Sequence, residues 1–273
     1  MNKVKMFCLS LEPSHLKLIQ DLSYIPVGLG NKLFNENWLT DKSGDSISEK
    51  NQFYGEYTFH YWIWKNYLKN LKKEWVGFCQ YRKFWSLSDL EKAPENFEQF
   101  KEYPIREIPK EYSSYESIIG VPLFVNKLRL SKFIKNNFFT MVSKPYLFFN
   151  NKKRNIKFHF DMMHGHGNLS KAIDLLDDKE KEGFKFFVEN SVSFNPHNMF
   201  ICKSTEILNT YYQSVFPWLK KCENLFGFDL KGYGSQRMYG FLAERYMSYW
   251  FQKYTNYKIM PIIFKDLTAF KKN

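Results

Sequence analysis

The run QYRKFW (80–85) sets two cations, Arg82 and Lys83, between Tyr81 and the pair Phe84 and Trp85. A guanidinium and an ammonium side by side can grip a diphosphate, and a ring beside them can stack on a base or a sugar. Core rings flanked by solvated cations would leave the same pattern. Glu56 and His60 stand four residues apart, a spacing that puts them together on one helix face as a hydrogen-bonded pair. HFDMMHGH (159–166) offers His159, Asp161, His164 and His166. It matches no standard metal motif, and four ligands so close in sequence converge poorly on one ion. A general base at Asp161 or His164 is the better reading. GxSxG, P-loop and GxGxxG patterns do not occur, which removes the common hydrolase and phosphate-loop fingerprints.

These groups need elements to hold them. KVKMFCL (3–9) reads as a buried strand, and Pro26, Gly28 and Gly30 argue against a helix over 23–34. Ser46 and Glu49 have capping-box spacing, and Phe53, Tyr57, Trp64, Leu68 and Leu71 form one stripe, so the pattern predicts a long helix over 47–72 closing on Lys69, Lys72 and Lys73. EWVGFCQ (74–80) follows as a strand with QYRKFW at its carboxyl end. Residues 86–115, with Pro94, Pro104 and Pro109, read as a loop-rich insertion with short helical pieces. SIIGVPLFV (117–125) is a strand interrupted at Pro122, and HFDMMHGH a strand end or loop leading to helices over 168–178 and 179–190. SFNPHNMFI (193–201) reads as a strand, Ser204 as the cap of a helix kinked near Pro217, 235–252 as a last helix and YKIMPIIF (257–264) as a last strand. Strands alternating with helices predict an α/β fold, a mostly parallel sheet flanked by helices, in one domain over 1–273.

Charge narrows the partners. The chain of 273 residues carries a net charge of +12, and no acidic residue occurs from Ile118 through Phe160. The basic, aromatic segment 127–157 therefore reads as a docking surface for an anionic membrane. Nucleic acid would also suit such a charge, yet no RNP-like or helix-turn-helix pattern appears, and nucleic acid is not an expected partner. Cys8, Cys79, Cys202 and Cys222 lie far apart in apolar surroundings, as buried thiols of a reducing compartment do. With no signal peptide and no apolar run of membrane-spanning length, the expectation is a cytoplasmic protein, peripheral at the inner face of the membrane if the basic segment docks.

GDSISEKNQFYGEYTFHYWIWKN (44–66) followed by VGFCQYRKFW (76–85) resembles a capsular-polysaccharide biosynthesis family long described as a domain of unknown function. NMFICKS (198–204), GFLAERYMSYW (240–250) and, more loosely, HGHGNLSKAI (164–173) continue the likeness over roughly residues 20–265. The resemblance implies a GT-A-like glycosyltransferase that moves a sugar from a nucleotide-diphosphate donor, a UDP-sugar first, to a bacterial surface glycan, with a free or lipid-linked glycan as acceptor. It implies that Asp45, Asn51, Glu56, Tyr81, Arg82, Asn198, Glu244 and Arg245 surround the donor, and the sequence adds Lys83. Asp161, Glu244, His164 and Glu56 are the candidates to deprotonate an acceptor hydroxyl. Gln80 stands where the family has His, so a non-catalytic glycan- or nucleotide-binding protein of the same fold is one alternative, and a nucleic-acid-binding protein, suggested by the charge and interleaved rings, is the other. A GT-A enzyme carries its metal-binding DxD where this chain has QYRK. The expectation is transfer without a metal cofactor, the cations neutralising the departing diphosphate, with Mg²⁺ or Mn²⁺ dependence as the other outcome.

Overall fold

Met6, Phe7, Cys8 and Leu9 are all buried, as an unbroken apolar run implies for a strand covered on both faces. The computed structural model describes residues 2–71, 74–90, 92–127 and 153–271. The expectations for Lys72, Lys73 and most of the basic segment, 128–152, lie outside the described residues.

In chain order the strands and α-helices are β1 (Asn2–Ser10), α1 (Leu16–Asp21), β2 (Ile25–Gly28), β3 (Leu39–Thr40), α2 (Asn51–Tyr54), α3 (Tyr57–Trp62), β4 (Trp75–Gln80), β5 (Lys83–Trp85), α4 (Phe97–Phe100), β6 (Glu107–Ile108), β7 (Ser117–Gly120) and β8 (Leu123–Phe124). They continue as α5 (Ile156–His164), α6 (Asn168–Ile173), α7 (Asp178–Asn190), β9 (Ser193–Phe194), β10 (Phe200–Cys202), α8 (Thr205–Phe226), α9 (Tyr233–Gln236), α10 (Met238–Tyr254), β11 (Tyr257–Met260) and β12 (Ile262–Phe264). The chain, which reads from sequence as one domain, divides into two compact units. Unit 1 takes Met1–Val121, Asn198–Gln213 and Trp250–Asn273; unit 2 takes Pro122–His197 and Ser214–Tyr249.

Unit 1 is a mixed α/β structure around one sheet. Along the order β11-β7-β10-β4-β1-β2-β3, every neighbouring pair is parallel except the two made by β10. β5 turns back on β4 and pairs with β12, and β6 pairs antiparallel with β1. β4 passes so close to its neighbours that a Cβ on Gly77 would lie 2.9 Å from Met6 and 3.1 Å from Ile201. On one face Phe7 stacks on Phe78 at 5.7 Å, and His60 lies 4.3 Å from Phe78 and 5.1 Å from Phe200.

Several expectations are corrected here. The helix over 47–72 is broken into a 3-10 turn (Ser48–Lys50), α2, α3, a π turn (Ile63–Tyr67) and a 3-10 turn (Leu68–Asn70). Gly55 causes the main break, with φ 58° and ψ −130°, and its carbonyl is held by the Asn51 amide and the Thr58 hydroxyl. The capping box does not form, because Ser46 Oγ donates to the Asp41 carbonyl and accepts from Ser48 N. Residues 86–115 do carry short helical pieces, α4 and a 3-10 turn (Lys110–Tyr112), and they add β6 to the sheet and Phe100, Ile105 and Ile108 to the core. The apolar stretch 193–201 is two strands separated by His197 and Asn198, both at positive φ.

Unit 2 is built on helices. Phe184 on α7 meets Trp218, Tyr246 and Tyr249 at 5.3–5.9 Å, and Trp218 Nε1 donates to the Ala172 carbonyl at 2.7 Å. β8 pairs with β9. HFDMMHGH, expected as a strand end or loop, is mostly α5, capped by the Asn155 side chain that accepts from Phe158 N. His159 and His164 are buried on this helix, which hides the apolar periodicity from the sequence. α8 runs on through Pro217, and the Ser204 hydroxyl accepts from Ile207 N at its start, as expected.

Candidate functional site

In unit 1 the parallel strands β2, β1 and β4 end together: Ser10 is level with Gly28, and Leu9 with Gln80. In an open α/β sheet this carboxyl edge is where ligands bind. Tyr81 and Arg82 form a two-residue turn there, since Gln80 pairs directly with Lys83. Phe84 and Trp85 are fully buried, so these rings of QYRKFW belong to the core.

Three side chains are chained across this edge. Gln80 Nε2 donates to Glu56 Oε1 at 2.9 Å, and Lys83 Nζ donates to Gln80 Oε1 at 3.0 Å. An amide has both a donor and an acceptor end, which lets it join a carboxylate to an ammonium. Asn51 fixes the Gly55 turn that precedes Glu56, with bonds to the Gly55 carbonyl at 3.0 Å and the Thr58 hydroxyl at 3.1 Å. The expected Glu56–His60 pair does not form. His60 is fully buried beneath the sheet, its Nδ1 2.7 Å from the Tyr212 hydroxyl, and burial lowers its pKa to about 3.

At the turn itself, Arg82 Nε donates to Asp266 Oδ2 at 2.7 Å, and its guanidinium lies 4.6 Å from the Tyr81 ring centre. The Tyr81 ring also meets the His15 ring at 5.1 Å, and His15 Nδ1 is 2.9 Å from Ser10 Oγ. Arg82 is thus anchored, though its partner is exposed. Such a pair contributes at most about 1 kcal/mol, which a doubly charged diphosphate can displace.

Asp45 belongs to a different construction. Asn66 accepts from Asp45 N at 3.0 Å and donates to its carbonyl at 2.8 Å, while the Tyr61 hydroxyl donates to Asp45 Oδ1. Gly44 has φ 65°, and a Cβ there would lie 2.2 Å from Asn66 Oδ1. Gly44 and Asp45 of the long motif therefore meet its Asn66 as a clasp. Asn198 is buried in unit 1 at φ 53°.

The remaining candidates lie in unit 2, around Arg245. Its Nη1 donates to Glu244 Oε2 at 2.5 Å, and Nη2 sits 3.4 Å from His159 Nδ1 and 3.3 Å from His164 Nε2. The guanidinium carbon is 4.3 Å from the Phe194 ring centre. Since the Gly234 carbonyl can only accept, His164 carries its proton on Nδ1 and offers Nε2 to the arginine. Burial, reinforced by Arg245, lowers the pKa of His159 to about 3 and of His164 to about 2. Burial lowers that of Arg245 as well, and Glu244 opposes it. Glu244 Oε1 also accepts from His197 N at 2.6 Å. Asp161 pairs with Lys157 at 3.1 Å and accepts from Gly167 N at 3.1 Å, closing the turn before α6. Among the described residues no three His, Cys, Asp or Glu side chains gather as a metal site.

Sequence reasoning missed Asp41, Asn66, His15 and Ser10. Asp41 is fully buried at the end of β3, and burial, against the opposing Thr58 hydroxyl, raises its pKa. None of the four stands in a spacing that signals chemistry; Ser10 meets His15 and Asn66 meets Asp45 only through the fold.

The family model described as a domain of unknown function, DUF4422, matches residues 12–256. The chain belongs to this family. Among solved structures, the apo form of WbbM, a bifunctional glycosyltransferase, matches this member of the family with a TM-score of 0.64 at 20% identity, over 96% of this chain and 45% of that one. The DUF4422 chain thus spans less than half of that protein while sharing its fold. No curated protein matches. In the described residues no helix is long and apolar enough to cross a membrane.

Proposed function

We propose that this DUF4422 chain is a glycosyltransferase of GT-A type, transferring a sugar from a nucleotide-diphosphate donor, a UDP-sugar first, to a growing bacterial surface glycan such as capsule, O-antigen or lipooligosaccharide. The observation that carries the reading is the Glu56–Gln80–Lys83 chain at the carboxyl edge of β1, β2 and β4, with Arg82 on the adjoining turn. The shared fold with a glycosyltransferase supports it.

In this mechanism Lys83 and Arg82 take the charge of the departing diphosphate, Tyr81 lies against the nucleoside side, and Glu56 accepts the proton of the acceptor hydroxyl. The bond from the donor's anomeric carbon to the diphosphate breaks as the bond to the acceptor oxygen forms. Glu56 is preferred over the other three candidates because Gln80 joins it to Lys83 at the carboxyl edge of the sheet, beside the cations that take the charge of the diphosphate. The two cations support transfer without a divalent ion. The basic 127–157 segment is proposed to hold the enzyme at an anionic membrane, tested by co-sedimentation with anionic liposomes at low salt.

The deciding experiment is a thermal-shift screen against UDP, GDP, CMP and TDP and their sugar conjugates, with and without Mn²⁺, followed by turnover on the donor that binds. Glu56→Gln should keep donor binding and lower turnover by about 10²–10⁴. Full activity in that variant, or silence across the panel, defeats the assignment. Activity abolished by EDTA and restored by Mn²⁺ would refute the metal-free step alone.

A further inference from the structure

Trp64, Lys65 and Lys69 face Glu206 and Asn209 across an open groove of about 430 Å³ in unit 1. It lies toward the other edge of the sheet from Gln80. Lys69 precedes the start of β4, and Glu206 follows Cys202, whose partner in the sheet is Val76. On the order of 15 Å of strand separates Val76 from Lys83.

The groove has the parts of a sugar subsite and an excess of positive charge. Trp64 and Lys65 sit on the π turn Ile63–Tyr67, a distortion that recurs at functional positions. Trp64 Nε1 donates to Asn209 Oδ1 at 3.1 Å, which fixes the indole, and Lys65 Nζ rests 3.9 Å from that ring's centre. Among the described residues neither Lys65 nor Lys69 is ion-paired with a carboxylate. A lysine parked on an indole is held weakly and can leave it for an anion. We infer that this groove binds an acidic sugar unit of a glycan, its carboxylate meeting Lys65 and Lys69 and the apolar face of its ring replacing Lys65 on Trp64. Glu206 and the Asn209 amide face the hydroxyls. The choice of a glycan rests on the glycosyltransferase reading; the anionic character rests on the two lysines.

The test follows the Trp64 Nε1–H signal by NMR, assigned with Trp64→Phe, during titration with a hyaluronan tetrasaccharide. Maltotetraose and inorganic phosphate serve as the neutral-sugar and bare-anion comparisons. A saturable shift with the acidic sugar alone is expected, weakened about tenfold in the double variant Lys65→Gln/Lys69→Gln, whose altered side chains are exposed. An unmoved indole, an equal response to maltotetraose or to phosphate, or a double variant that binds as well as the parent would overturn it. No donor is present in this titration. Its failure leaves glycosyl transfer untouched, and binding by a catalytically silent protein leaves the groove standing.

Discussion

The Gln80 amide does not ionise near neutral pH; it holds the Glu56 carboxylate and the Lys83 ammonium in place. Replacing it by an ionisable ring should therefore alter the chemistry while leaving the fold intact. Gln80→His is expected to add a limb near pH 6.5 to the pH–rate profile, and an unchanged profile would show that Gln80 does not touch the reacting groups. Arg82→Ala should change the melting temperature little, because its partner Asp266 is an exposed one, yet weaken nucleotide binding measurably by calorimetry. Gly44→Ala should be costly for its size: a methyl group there meets Asn66 at 2.2 Å on a backbone of φ 65°, and a loss of about 1–3 kcal/mol in urea unfolding is expected. At this scale the sequence exposes cations and rings in a row but not which rings point inward. Phe84 and Trp85 were indistinguishable from Tyr81 until the hairpin fixed their faces.

Among the elements, strands were the easiest to read. β1 and β4 are apolar runs bounded by charge or turn residues, and such runs have little choice but to be interior strands. The helix over 47–72 failed because periodicity reports which side of a helix is apolar and is blind to one residue that reverses its φ. Gly55 stands in plain view inside the motif, without its backbone consequence. α5 failed for the opposite reason, polar histidines filling buried positions opposite Arg245. The packing of β4 predicts its own sensitivity. Phe78→Ala, which empties the space between Phe7, His60 and Phe200, should cost about 3–5 kcal/mol, checked by denaturant midpoint at constant slope.

For the whole molecule, acid should be the weak point. His60, His159 and His164 are neutral in the fold, with pKa values lowered to about 3, 3 and 2, whereas an unfolded histidine binds its proton near pH 6.5. The unfolded state then holds more protons, so stability is full above about pH 6.5 and falls as pH drops toward the folded values, by at most about 1.4 kcal/mol per pH unit for each ring. Urea midpoints at pH 7 and pH 5 check the sign; an equal or higher midpoint at pH 5 contradicts it. The interleaving of the two units reaches further, into biosynthesis. Both sheet neighbours of β7 come later in the chain, at Phe200–Cys202 and Tyr257–Met260, and β5 waits for Ile262–Phe264. When residues 1–121 have left the ribosome they make a half-sheet with open backbone edges that stay unpaired until residues 200–264 follow. Such a nascent chain invites chaperones, and shortening it at the end would leave it prone to aggregate rather than merely less active.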